Sequence, residues 1–327
     1  MSDLTLESIR QAARTIAGKI HRTQLIESRT LSEMSGFRLF LKAENLQKTG
    51  CFKPRGALNK IAKMTAAERA RGVLAASAGN HAQGLAYAAV HLGIPVKVVM
   101  PRTAPAAKVD AVRAMGAEVV LHGDGFDEAL AHSLTLEAQT GMTYVHPCID
   151  VDVVSGAGTI GLEILEDLPD VDAIVCPIGG GGLISGISVA VKTQRQSVRI
   201  FGVEPTGAAA MKRSVQAGHV VVLDSARSIA DGMAGKTTFE YTLDHVRRYV
   251  EDVLLVTDQS LLRAMTLMLT RCKLLAEGAG AGPLAAILDG SVPLPPGSKV
   301  VAIVSGGNQD LNLLARWLTE GLPRADA

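Results

Sequence analysis

Short apolar runs and helically spaced apolar positions alternate along most of this chain. Residues 73–77, "VLAAS", form a compact apolar run and lead into "HAQGLAYAAVHLG", whose apolar residues recur with helical period. "VKVVM" at 96–100 precedes the helical pattern "APAAKVDAVRAMG", and "EVVLHG" precedes "FDEALAHSLTLEAQTG". The rhythm returns later in the chain. "VDAIVCPIG" (171–179) runs into "GGGLISGISVAVKTQ", "VRIFGVEP" (198–205) into "GAAAMKRSVQAG", and "KVVAIVSGGN" (299–308) into "QDLNLLARWLTEG". Strands alternating with helices of this length predict βαβ units on parallel sheets. The opening "MSDLTLESIRQAARTIAGKI" reads as an amphipathic helix with a polar face. No solenoid-like repeat, low-complexity tract or long polar linker breaks the pattern. The prediction is an α/β protein of two lobes with a ligand between them, held by loops beyond the carboxyl ends of the strands.

Composition narrows the function classes. A length of 327 residues accommodates two domains or one large α/β unit. Apolar residues make up 47% but aromatics only 3%, so Ala, Val, Leu and Ile must build the core. A net charge of +1 with no basic block argues against nucleic-acid binding. Cys51, Cys148, Cys176 and Cys272 are scattered, without the paired spacing of a zinc site, which favours reduced thiols and a cytoplasmic setting. No apolar run reaches bilayer-spanning length and no signal peptide is evident, so a membrane role is not expected.

The unusual sequence lies in the predicted loops. In "KTGCFKPRGALNK" (48–60), Lys53 precedes a proline, which disfavours helical geometry and predicts an extended lysine. Pro54 suits the first position of the helix that follows. A lysine beside a helix N-terminus sits where the ammonium form is disfavoured, which suits a nucleophile or base. "SAGNHAQG" (77–84) joins a strand to a helix start and adds Ser77, Asn80 and His81, a setting for a carboxylate or phosphate, or an ordinary turn. In "PIGGGGLISG" (177–186), four glycines remove every Cβ from a strand-to-helix turn, so amide groups can close around an anion. "VSGGN" (304–308) places Ser305 at the end of the last clear strand. "GAGTIG" (156–161) matches a dinucleotide-binding spacing, but the following strand ends in Pro177 and glycine instead of the required acidic residue.

Taken together and in order, these segments resemble the fold-type II pyridoxal 5′-phosphate enzymes, in particular the threonine/serine dehydratase (ammonia-lyase) and serine racemase group. The resemblance runs from "FLKAENLQKTGCFKPRGALNK" to "VAIVSGGNQDL" and includes "GAGTIGLEI" and "EGAGAGPLAA". It implies a two-lobed fold like the tryptophan synthase β subunit, with a cofactor-binding lobe of residues 1–71 plus 150–327 and a substrate-binding lobe of residues 72–149. It implies that Lys53 carries the cofactor and acts as the base. It also implies that Gly179, Gly180, Gly181, Gly182 and the Leu183 amide hold the phosphate, that Asn80 bonds the phenolic oxygen, and that Ser305 partners the pyridine nitrogen. Ser77, Ala78, Asn80 and His81 correspond to the cradle for the substrate carboxylate. The reaction implied is conversion of a 3-hydroxy amino acid, such as L-threonine or L-serine, to a 2-oxo acid and ammonia.

Departures from the family pattern refine that expectation. The second serine that racemases use as an acid/base is Ala78 here, which favours dehydration over racemisation. Glu204, with the Ala208 carbonyl, matches part of a divalent-metal site, but Ala210 stands where the second carboxylate is expected, leaving at most a weak cation site. Cys51 replaces a common serine. The short sequence after the last helix suggests a catabolic enzyme without a regulatory domain. The family pattern makes a homodimer or homotetramer the expected assembly. The rival readings are a dehydratase for 3-hydroxyaspartate or a hydroxylated compatible-solute intermediate, serine racemase, a β-replacement enzyme, and a binding protein without turnover.

Overall fold

Aliphatic residues alternate between the two faces of a parallel sheet and are buried on both. Leu39, Leu41, Val175, Phe201, Val203, Val300 and Ala302 enter one core cluster, while their neighbours Phe40, Ile174, Ile200, Val301 and Ile303 enter another. Sheets covered on both faces read as continuous apolar runs, which explains the sequence pattern. The computed structural model describes residues 3–322. Residues 1–2, at the head of the expected first helix, and 323–327, at the end of the expected cofactor-binding lobe, lie outside that range.

The strands are β1 (Leu25–Glu27), β2 (Arg38–Lys42), β3 (Val73–Ala76), β4 (Val96–Met100), β5 (Glu118–Leu121), β6 (Thr143–Tyr144), β7 (Ala173–Pro177), β8 (Arg199–Pro205), β9 (Asp252–Val256) and β10 (Lys299–Ile303). They form a six-stranded sheet in the order β1-β2-β10-β7-β8-β9 and a four-stranded sheet in the order β5-β4-β3-β6. Among these strands only the β1–β2 pairing is antiparallel. Helices flank both sheets, so the α/β fold is as expected. The helix Lys53–Lys63 sends Ala57, Leu58 and Ile61 into the cluster beneath the four-stranded sheet, so packing reaches across residue 71. At the amino end, Thr5 and Ser8 cap the helix Leu6–Ile16 reciprocally, and Ile9, Ala12 and Ile16 bury one face. Among the described residues no helix is long and apolar enough to cross a membrane.

The "GAGTIG" stretch lies inside the helix Val151–Asp167, where no phosphate turn exists. Its glycines serve packing. A Cβ on Gly158 would lie 2.7 Å from the Gly186 carbonyl oxygen, and one on Gly56 would lie 2.8 Å from Val153 Cγ1. This helix therefore packs closely against both the Lys53 helix and the helix Gly182–Lys192.

Candidate active site

Lys53 stands where three chain segments meet. Before it, Thr49 and Gly50 adopt positive φ of 61° and 70°, turning the chain so that Cys51 pairs with Gly306. The Phe52 N–H donates to the Ser305 carbonyl at 3.1 Å. The expectation of an extended lysine is corrected here: Lys53 is the first helical residue and Pro54 the second. Phe52 is already in the right-handed helical region at φ −66°, ψ −17°, so the turn begins one residue earlier. Pro54 is tolerated because first-turn N–H groups have no acceptor within the helix. On the other side, a Cβ on Gly84 would lie 2.7 Å from Lys53 Cβ, so the helix Asn80–His91 passes directly against the lysine. The Lys53 ammonium lies 4.8 Å from the centre of the Phe52 ring.

Asn80 ties the loops together. Its Nδ2 donates to Glu277 Oε1 at 2.6 Å, and its Oδ1 accepts from Asn308 Nδ2 at 2.8 Å. Asn308 Nδ2 also donates to the Thr49 carbonyl at 2.8 Å. Neither Glu277 nor Asn308 stood out in the sequence, although both lie in segments that carry the family resemblance. Burial pushes the Glu277 carboxyl up to about 7 against the opposing bond from Asn80, and Asp231 adds to the rise.

The 77–81 loop is half-buried apart from His81. Ser77 Oγ accepts the Gly79 N–H at 3.2 Å, and Ala78 brings no hydroxyl. His81 is buried, with Nε2 donating to the Val145 carbonyl at 2.8 Å, so its ring forms wall. Burial, then Lys53, depresses His81 to about 3. His146, missed in the sequence, follows the same logic: its Nδ1 accepts the N–H groups of Cys148 and Ile149 at 3.1 and 3.2 Å. Burial and Lys53 bring it to about 4, so both rings are neutral.

These groups set a pH dependence. Glu277 binds its proton more tightly folded than unfolded, so the stability it contributes is present below about 4.5 and is lost as pH rises through about 7. His81 and His146 act oppositely: stability held above 6.5 is lost as pH falls towards their depressed values. Glu277→Gln is therefore expected to flatten the fall in melting temperature between pH 5 and 8. Parallel curves for the two proteins would show that the carboxyl is not raised.

The glycine turn follows β7. Its packing leaves no room for side chains: a Cβ on Gly180 would meet Cys148 Sγ at 2.5 Å, and one on Gly182 would meet Cys148 Cα at 2.9 Å. Gly179 abuts the Gly232 carbonyl, and Thr242 Oγ1 donates to the Gly180 carbonyl at 2.8 Å. Gly181, at φ 89°, is the N-cap of the helix Gly182–Lys192 and supplies no side chain to its first turn. The open amides of Gly182 and Leu183 suit a phosphate. Ser305 lies two residues beyond β10, where its carbonyl accepts the Phe52 N–H, and its hydroxyl has no protein partner among the described residues. A lysine with no ion-pair partner among the described residues, a side-chain-free anion turn and an uncommitted hydroxyl fit pyridoxal phosphate.

Glu204, expected as a cation ligand, is engaged by a helix start. Glu204, on β8, accepts the N–H groups of Met211 and Lys212 with its two oxygens, both at 2.8 Å. It thereby caps the helix Ala210–Ala217, and burial pushes its carboxyl up to about 7 against those bonds. Ala208 is buried next to that helix start. Among the described residues no group of three or more His, Cys, Asp or Glu side chains is arranged to hold a metal.

Comparison with known proteins identifies relatives of this chain. The chain is 46% identical to an L-threonine ammonia-lyase of Thermotoga maritima over 98% of its own length and 80% of that protein. It is 41% identical to the catabolic L-threonine dehydratase of Escherichia coli K12, covering 96% of this chain and 95% of the relative. The solved structure of maize serine racemase superposes with a TM-score of 0.93 at 38% identity, covering 98% of both chains. The profile of the family described as "Pyridoxal-phosphate dependent enzyme" matches residues 16–306, so the chain belongs to that family and uses pyridoxal phosphate as its cofactor.

Proposed function

We propose that this protein is a catabolic ammonia-lyase that converts L-threonine and L-serine to 2-oxo acids and ammonia. The observation that supports the reading is Lys53 packed against the Asn80 helix and next to the Phe52–Ser305 bond, with a side-chain-free glycine turn after β7, in a chain aligned over nearly its whole length with L-threonine ammonia-lyases. Lys53 Nζ would hold the cofactor and, as a free base during turnover, would take the proton from the substrate Cα. Bound pyridoxal phosphate supplies the electron sink that makes this proton removable. Gly179 to Gly182 and the Leu183 amide would hold the phosphate, Asn80 would bond the phenolic oxygen, and the Ser305 hydroxyl would meet the ring nitrogen. The backbone of residues 77–81 receives the substrate carboxylate. Loss of the β-hydroxyl as water leaves an enamine, which tautomerises and is hydrolysed, regaining that water, to the 2-oxo acid and ammonia.

Residues 1–71 plus 150–327 form the cofactor-binding part and 72–149 the substrate-binding part in this reading. The working form is a cytoplasmic homodimer or homotetramer. The four cysteines are unpaired, in keeping with a reducing setting. The Glu204 carboxylate is accounted for by its helix cap, which leaves little for a cation to hold.

Two observations bear on specificity. Lys108 Nζ reaches across to Asp231 Oδ2 at 3.0 Å, next to the turn that abuts Gly179. In this reading the exposed pair offsets a positive charge near Glu277, which favours neutral over acidic substrates. Ala78 leaves no hydroxyl for proton return on the second face, which supports lyase over racemase. Ala78→Ser is expected to raise D-serine formation above the parent's background, read by chiral chromatography. An unchanged background would remove that argument. The reading itself is tested by 2-oxo acid release from L-threonine and L-serine.

A further inference from the structure

Two residues along the chain from Lys53 lies a buried ion cluster that the reaction itself does not use. Lys42, Glu44 and Arg55 are fully buried. Arg55 donates Nε and Nη2 to the two oxygens of Glu44, both at 2.8 Å. It donates Nη1 and Nη2 to the two oxygens of Glu163 at 2.6 and 3.0 Å, and Nη1 also to Thr159 Oγ1 at 3.1 Å. All five guanidinium N–H groups are thus engaged. Lys42 Nζ completes the cluster, donating to Glu163 Oε2 at 2.5 Å and to the Thr23 carbonyl at 2.8 Å. The Thr23 hydroxyl donates to Glu44. Two cations and two carboxylates leave no net charge. Burial works to raise Glu163, yet Arg55 and Lys42 outweigh it and hold the carboxyl below its usual range.

Stability alone does not call for such a cluster, because well-packed apolar side chains of similar volume commonly serve as well. A guanidinium fork adds direction. Its two carboxylates come from different elements: Glu44 follows β2, and Glu163 belongs to the helix Val151–Asp167. Residues i and i+2 of a helix point to different sides. Holding Arg55 into the floor therefore sets the rotation of the first turn and turns Lys53 towards the cleft. On the cleft side the close approach of Gly84 leaves no slack.

We propose that Lys42, Glu44, Arg55 and Glu163 are positioning residues for Lys53, fixing the rotation and height of its helix start against β2 and the Val151–Asp167 helix. The proposal rests on the reading of Lys53 as the cofactor lysine. Two holoenzyme variants test it. Glu44→Gln with Arg55→Met removes the fork and keeps the site neutral, while Arg55→Lys keeps the charge without the fork. Both are expected to lower kcat by about 10- to 100-fold, with KM for L-threonine changed by less than about threefold. Both should also shift the pH midpoint of kcat and lose cofactor faster on dialysis, beyond any fall in melting temperature that the broken buried network brings. Parental kcat, pH midpoint and cofactor retention, with only the melting temperature moved, would overturn the proposal. If the double variant does not fold, Arg55→Lys decides by the same readings. If the parent itself releases no 2-oxo acid, the functional reading fails, and cofactor retention in the variants still decides the positioning role.

Discussion

Lys53→Ala is expected to lower 2-oxo acid release by about 10³-fold or more while leaving the fold intact. One side chain carries two duties in this account, holding the cofactor and moving the Cα proton, and loss of the proton-transfer duty alone costs about 10²- to 10⁴-fold. The fold should tolerate the change. Lys53 is half-buried, makes no ion pair among the described residues, and occupies a first-turn position that alanine accepts. Lys53→Arg sharpens the test, since a guanidinium keeps the charge but stays protonated and is no nucleophile. It should be as inactive as the alanine variant. Activity near the parent's in either variant would move the chemistry to another residue.

The second large effect is expected at Gly181. Its φ of 89° disfavours any L side chain by about 1–2 kcal/mol. An added Cβ would also lie 2.7 Å from Thr242 Cβ and 2.9 Å from Met211 Cε. Thr242 is fixed by its own bond to the Gly180 carbonyl, so the turn must shift, and its amides shift with it. Gly181→Ala is expected to weaken cofactor binding by about 10- to 100-fold, on the scale of one or two lost charge-assisted hydrogen bonds. Gly218→Ala is the control, since φ there is 77° but the space around it is open. Fluorescence titration of the two apoproteins separates the cases. Equal affinities would mean that the turn does not hold the phosphate.

Much of this site was legible in the sequence because its signals are local. A run of four glycines and polar residues placed just after apolar runs each announce a loop at a strand end, and a lysine beside a proline announces a helix start. The covered sheets were legible for a similar reason, as continuous aliphatic runs. What stayed hidden depends on distance. Asn80 and Glu277 are 197 positions apart, and Arg55 and Glu163 are 108 apart. No spacing rule shows that such charged residues will be buried together. His146 was missed because its role follows from a turn whose two N–H groups it accepts. The extended geometry expected for Lys53 failed because a residue-pair rule was overridden by the Phe52–Ser305 bond and the Cys51–Gly306 pairing. The glycines of "GAGTIG" fit a ligand-binding spacing, yet they serve helix packing.

The lyase reading is tested most directly by offering the holoenzyme L-threonine, L-serine and L-threo-3-hydroxyaspartate and measuring 2-oxo acid and ammonia together. The account predicts equimolar release from L-threonine and L-serine, weaker release from the acidic substrate, and none above background from Lys53→Ala. Cofactor-loaded protein that releases nothing from any of the three would contradict it.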